Sequence, residues 1–248
     1  MRTANPALSA NTFSQVGQMT DSVRGMTIQG TVNKAGILLI LVVAAAIYTW
    51  GIFFEARNPA VIMPWMMGGI IGGLIVAVVT VFKKAWSPVT APIYAVLEGL
   101  VLGGISAIFE ANYPGIAMQA VTLTFGVFLG LLIVYKSGFV RVTEKFRMGV
   151  MAATGGIFLV YLFSMILNFF NFRMPYIHES GLIGIGFSLF VVVVAALNLI
   201  LDFDFIERGA LSGAPKFMEW YAAFGLMVTL IWLYLEILRL LAKLKDRR

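Results

Sequence analysis

The sequence predicts an all-α, polytopic membrane protein, a seven-helix bundle with its N-terminus in the cytoplasm. Three observations predict it. First, 60% of the 248 residues are apolar and only 12% charged, with a mean hydropathy of +0.92. Soluble domains run about 45–50% apolar and about 25% charged, and a single soluble core of this length cannot hide so much apolar surface. Second, the apolar residues gather into seven windows of roughly 20 residues, the length at which a helix spans a bilayer. Third, no window alternates with period two, which argues against a β-barrel.

The windows follow one another at Ala35–Phe54, Ala60–Phe82, Thr90–Phe109, Gly115–Tyr135, Gly149–Phe170, Leu182–Leu201 and Tyr221–Leu241. Glu55-Ala56-Arg57-Asn58-Pro59 closes the first. Lys83-Lys84 and Ser87-Pro88 separate the second from the third, and Asn112-Tyr113-Pro114-Gly115 reads as a turn. Lys136 to Arg147 is a charged loop, and Arg173–Gly181 and Asp202–Lys216 complete the set. Residues 1–34 form a polar tail without the basic-then-apolar layout of a cleaved signal peptide. Pro6, Asn11 and the Thr27–Gly30 stretch argue against a long helix there. Residues 35–241 make the transmembrane domain and residues 242–248 a basic tail. The loops leave no room for a soluble domain.

Lys and Arg set the orientation. The side holding the N-terminus carries Arg2, Arg24, Lys34, Lys83, Lys84, Lys136, Arg141, Lys145, Arg147, Arg208 and Lys216, against Arg57 and Arg173 on the other. That bias puts the N-terminus in the cytoplasm. Arg239 at the end of the seventh window, and Lys243, Lys245, Arg247 and Arg248 beyond it, are on the wrong side if it spans. Two readings stand: it spans as an exception to the rule, or it dips in and returns.

Composition excludes several functions. A net charge of +6 and a pI near 9.7 suggest nucleic acid in a soluble chain, but here the basic residues are topology signals in loops and tail. With no Cys and one His, His178, there is no disulfide framework, no thiolate metal site and no zinc-protease motif. Gly184-Ile-Gly186-Phe-Ser188 only superficially echoes an intramembrane serine protease. Asp202 and Asp204 do not reproduce the aspartyl type, and no phosphate-cradling loop is present. Neither an enzyme nor a cofactor is expected.

Small residues supply packing signals. Gly68, Gly69, Gly72 and Gly73 on helix two, Gly99 and Gly103 on helix three, and Gly126 and Gly130 on helix four are spaced for close helix approach. They read as packing inside one bundle, which leaves a monomer, or as a face for weak oligomerisation. Pro64 and Pro92 are read into the first turns of their helices.

Charges inside bilayer segments cost about 2.5–3.5 kcal/mol each on insertion scales, so they carry the most information. Glu98 sits well inside helix three with no basic residue within a turn. Such a carboxyl needs a partner on another helix or has to carry a proton. Asp202 and Asp204 close helix six, where acids oppose the helix dipole. Positions two apart do not share a face, so one points to the bundle and the other to water or Arg208. Asn198 lies one turn before Asp202 on the same face. Glu219 opens segment seven at the same level. Four carboxylates from three helices are thus expected to meet near the cytoplasmic side, an oxygen-only set suited to a proton or to a hard cation such as Ca²⁺. Glu236, three residues before Arg239, reads as an intrahelical ion pair, and Glu110 as a solvated helix end. His178 and Glu179 read as loop residues.

Tyr94-Ala-Val-Leu-Glu98-Gly99-Leu-Val-Leu-Gly103, the acidic end of helix six and the compact seventh segment resemble the Bax inhibitor family. Arg2-Thr-Ala-Asn-Pro6, Gly30-Thr-Val-Asn-Lys34 and Trp232-Leu-Tyr-Leu-Glu236-Ile-Leu-Arg239 are similar to its bacterial branch. The resemblance covers nearly the whole chain. It implies an inner-membrane protein with six helices around a central seventh, acting as a pH-sensitive cation leak, chiefly for Ca²⁺. It also implies a carboxyl pair, one Asp on helix six and one on helix seven, that shares a proton and closes the pore. The first falls on Asp202, with Asp204 as the register alternative. The second falls near Thr229, where the chain has no acid. Glu98, Glu219 and Glu236 are the remaining acids in reach. Two other functions fit the residues: a proton-coupled transporter of a small solute, and a non-transporting membrane protein that modulates a protease or stress factor.

Overall fold

The computed structural model describes residues 25–170 and 181–247. Arg2, Pro6, Asn11 and Arg24 of the tail, the loop residues Arg173, His178 and Glu179, and Arg248 lie outside the described residues. Among those described there are seven long helices and no strand: α1 (Ile28–Ala56), α2 (Pro59–Phe82), α3 (Ser87–Asn112), α4 (Ile116–Lys136), α5 (Glu144–Phe169), α6 (Leu182–Leu211) and α7 (Met218–Asp246). Each is long and apolar enough to cross a membrane. The chain is a polytopic all-α membrane protein.

Several helices outrun their apolar windows because polar residues cap them. Helix α1 starts at Ile28, inside the stretch read as non-helical, because Thr27 is an N-cap whose hydroxyl accepts from the Gly30 amide at 3.0 Å. Asn58 caps α2 in the same way, with Pro59 at its first position. Thr143 caps α5 ahead of the charged turn Glu144–Arg147. Pro64 and Pro92 are consequently inside α2 and α3, not in their first turns. Asp202 and Asp204 do not close α6 either, since the helix runs on to Leu211. Gly213, with φ +66°, then makes the tight turn into α7.

Half of the best spanning window of α3 and of α7 is buried, against 17–22% for α1, α2, α4 and α5. The centre of the bundle is therefore α7, backed by α3. Helix α7 packs against α6, α1, α4 and α3, while α5 packs along α6. The core follows from this: Leu199, Met227, Leu233 and Leu238 are fully buried where α6 and α7 meet. The α1–α3 contact is a glycine seam. A Cβ on Gly99 would stand 2.8 Å from the Ala45 methyl, and one on Gly103 would strike the Ala46 carbonyl. Gly69 likewise lets α2 approach the Leu97 carbonyl of α3. Gly126 and Gly130 have no such neighbour. Gly69 and the Gly99–Gly103 pair thus pack the bundle internally.

Polar contacts tie the helix ends into two layers. At the end holding the start of α1 (hereafter the N-terminal end), the Met26 amide donates to the Ala214 carbonyl at 2.6 Å. The Ser87 hydroxyl donates to the Phe217 carbonyl at 3.0 Å. Buried Glu219 opens α7 there and gathers the Thr27 amide and hydroxyl at 2.9 and 2.8 Å, Lys216 at 2.7 Å, and Lys34. A Cβ at position 30 would overlap the Glu219 carboxyl, which accounts for Gly30. At the opposite end, Lys245 donates to the Pro114 carbonyl and Lys243 to the Gly184 carbonyl, both at 3.1 Å. Tyr113 donates to Asp246, which holds this phenol above its ordinary range. Helix α7 is unbroken between these layers, about 44 Å at 1.5 Å per residue. That leaves no turn for a dip and return. Of the basic residues that misled the charge count, Arg239 holds a carboxylate, and Lys243 and Lys245 hold helix-end carbonyls.

Gly103→Val should lower the thermal midpoint of the detergent-solubilised protein by the equivalent of about 1–3 kcal/mol of overpacking, whereas Gly130→Val should leave it in place. A cysteine introduced at Lys245 should react with an impermeant thiol reagent from the membrane face opposite the one that labels a cysteine at Gly25.

Candidate functional site

Each intramembrane acid has its own neighbours, so the expected meeting of Glu98, Asp202, Asp204 and Glu219 is corrected. Glu98 has the Tyr94 side chain, one turn earlier on its own helix, as its polar neighbour. Its carboxyl turns toward α2, 3.5 Å from where a Cβ on Gly73 would stand. Asp204 is held by two guanidiniums, Arg147 of α5 at 2.8 Å and Arg208 one turn on at 2.9 Å. Glu219 belongs to the α1–α7 clamp. Among the described residues no group of three acids or histidines is placed to hold a metal ion. The physical reason is that a buried carboxylate is cheapest beside a cation or a hydroxyl donor. Each acid but Asp202 found one locally or across a single helix contact.

Asp202 is different. Its side-chain neighbour on α7 is Thr229, the position where the family resemblance expects an acid, but the Thr229 hydroxyl donates to the Gly225 carbonyl at 3.2 Å. Its second oxygen, Oδ2, is buried and has no hydrogen-bond partner. One turn earlier, the Asn198 amide donates to the Thr154 hydroxyl of α5 and to the Val194 carbonyl, both at 2.8 Å. Asp202 and Asn198 share the wall of a cavity of about 700 Å³, lined also by Arg147, Asp204, Arg208 and Ala214. Glu98 is not part of this wall. The cavity lies between α5, α6 and the α6–α7 turn, at the N-terminal end. Its other charged lining residues are Arg147, Asp204 and Arg208, and Glu144, outside the wall and 3.2 Å from Arg147, balances the set. Its inner residues are uncharged apart from Asp202.

A second polar cluster lies toward the opposite end. Glu236 pairs with Arg239 at 2.7 Å, as its spacing predicts. It is almost fully buried because Tyr161 of α5 also donates to it, at 3.0 Å, and Arg239 covers the Tyr161 ring at 5.4 Å. Nearby, Lys243 donates to the Ser188 hydroxyl at 2.8 Å. Glu110 is not simply solvated: its two oxygens accept from the Gly115 and Ala117 amides, capping α4.

Sequence reasoning found Asp202, Asn198 and Thr229 but missed Thr154, Arg147, Tyr161, Lys34 and Thr27. Thr27 carried a signal, a capping residue three positions before Gly30. The others did not, since Arg147 reaches Asp204 across 57 residues and Tyr161 reaches Glu236 across 75.

No curated protein matches the chain at a significant level. The family described as Bax inhibitor 1 like matches residues 5–246. With seven membrane-length helices, a central seventh and a match over nearly its whole length, the chain belongs to the Bax inhibitor 1 like family.

Proposed function

We propose that this protein is a cation leak of the inner membrane, chiefly for Ca²⁺, whose conducting state is set by the proton on Asp202. The observation that carries the reading is the buried, unpartnered Oδ2 of Asp202 on the wall of a cavity open toward the N-terminal end. The Lys and Arg count puts that end in the cytoplasm. A carboxylate oxygen deep in a bundle, with no donor, is stable when the group holds a proton or a cation. Loss of the proton leaves a charge that draws water or a cation into the cavity. Thr229 shapes this chemistry. Its hydroxyl, which donates to the Gly225 carbonyl at 3.2 Å, carries no charge, so the site holds one titrating carboxyl instead of two that share a proton. The pH response is then a single step.

Continuous helices offer little support to a transporter built on broken helices. A protein that acts only by docking on a protease has no use for an unsatisfied acid beside a cavity of about 700 Å³.

Purified protein in Ca²⁺-loaded liposomes should release Ca²⁺ with one pH-dependent step. Asp202→Asn should abolish the step and leave a flux that no longer varies with pH, while Glu98→Gln should keep it. Thr229→Asp should install a second carboxyl beside the first and split or broaden the titration. Flux indistinguishable from empty liposomes across acid and neutral pH sinks the reading.

A further inference from the structure

One face of α5 meets α6 and α7 in alternating polar and apolar layers. From the N-terminal end the α5 residues are Arg147, Thr154, Ile157 and Tyr161, at helical spacing on one face. Opposite them stand Asp204, then Asn198, then Val194 and Val191, then Ser188 on α6, with Glu236 and Lys243 of α7 at the far end. Ile157, Val191 and Val194 form a separate buried cluster, packed by Trp232, Phe187 and Tyr161 and distinct from the main core. Their exposures are 4%, 0% and 3%. This apolar layer separates the two polar clusters of the seam. The cavity reaches Asn198 and Asp202 and stops short of it. Beyond it begins the Tyr161–Glu236–Arg239 cluster. Helix α5 is also among the least buried spans, held near the seam by the single-residue contacts Arg147–Asp204, Thr154–Asn198 and Tyr161–Glu236.

We propose that the ion path runs along this α5–α6–α7 seam, and that the Ile157–Val191–Val194 layer is its barrier. The inference rests on the cation-leak reading and says where the cation crosses. A dry apolar constriction stops ions by excluding the water they travel with. Parting α5 from α6 wets it and joins the two polar clusters into one passage. The guanidiniums along the seam do not close it to cations, because Glu144 and Asp204 balance Arg147 and Arg208, and Glu236 balances Arg239.

The chain has no cysteine, so near-isosteric single cysteines can map the seam in the full-length protein in sealed vesicles. A small impermeant cationic methanethiosulfonate is the probe. Thr154→Cys should label from the N-terminal face, Ser188→Cys from the opposite face, and Val191→Cys about tenfold more slowly than either from both. Labelling of Val191→Cys as fast as Thr154→Cys, or no labelling of Thr154→Cys, overturns the seam. In Ca²⁺-loaded liposomes, Val191→Thr and Val194→Thr should raise the flux about tenfold, while Val42→Thr in the buried α1–α3 contact should not. Equal flux in all three also overturns it. A labelling step at Val191 in protein that passes no Ca²⁺ supports the seam and removes the cation reading. Flux without that step removes the seam alone.

Discussion

Inside a lipid bilayer a polar side chain has no water to fall back on, so it has to be satisfied by the protein. That constraint accounts for most of what distinguishes this bundle from a generic set of apolar helices. Glu219 binds the start of α1 to the start of α7. Asp204 holds α5 to α6 through Arg147. Glu236 brings α7 to α5 through Tyr161. Each of these acids doubles as a positioning contact, and each lies where two helices would otherwise be joined only by apolar packing.

Helix α7 shows the pattern most fully. It is central, and its polar side chains are staged along its length: Glu219 at one end, Thr229 against Asp202, Tyr234 with the Ser106 hydroxyl at 2.6 Å, Glu236 with Arg239, and Lys243 and Lys245 at the other. The apolar residues between them fill the core. A helix fixed at so many levels is a poor candidate for large movement. Helix α5, less buried and joined by isolated contacts, is the better one. The asymmetry of burial thus points to which side of the bundle can open.

Asp202 departs from the rule. Thr229 beside it gives its hydroxyl proton to the Gly225 carbonyl, and Oδ2 has no partner, whereas the other buried acids among the described residues are paired. An unsatisfied buried atom is a standing cost, and such costs concentrate where a group has to change state. Thr229, standing where the family resemblance expects an acid, leaves the site with one charge. It is this combination, not acidity alone, that marks Asp202 among the acids of the chain.

The sequence by itself determined the seven spans, their order, and the short list of acids that matter. Hydropathy over about 20 residues is a local property, and a charge in an apolar window stands out without any knowledge of neighbours. It also placed Asp202 and Thr229 on adjacent helices, through the resemblance of the chain to a known family. Helix starts escaped it where a polar cap precedes the apolar run, as at Thr27 and Thr143. What only the tertiary structure decided is which acid stays unsatisfied. Glu98 and Asp202 look equally isolated in sequence, yet one turns to Tyr94 and the other faces a cavity. The partners that settle this, such as Arg147 for Asp204 and Lys34 for Glu219, come from helices far away in the chain. Helix rotation and packing choose them, and neither is encoded in the spacing of a single segment.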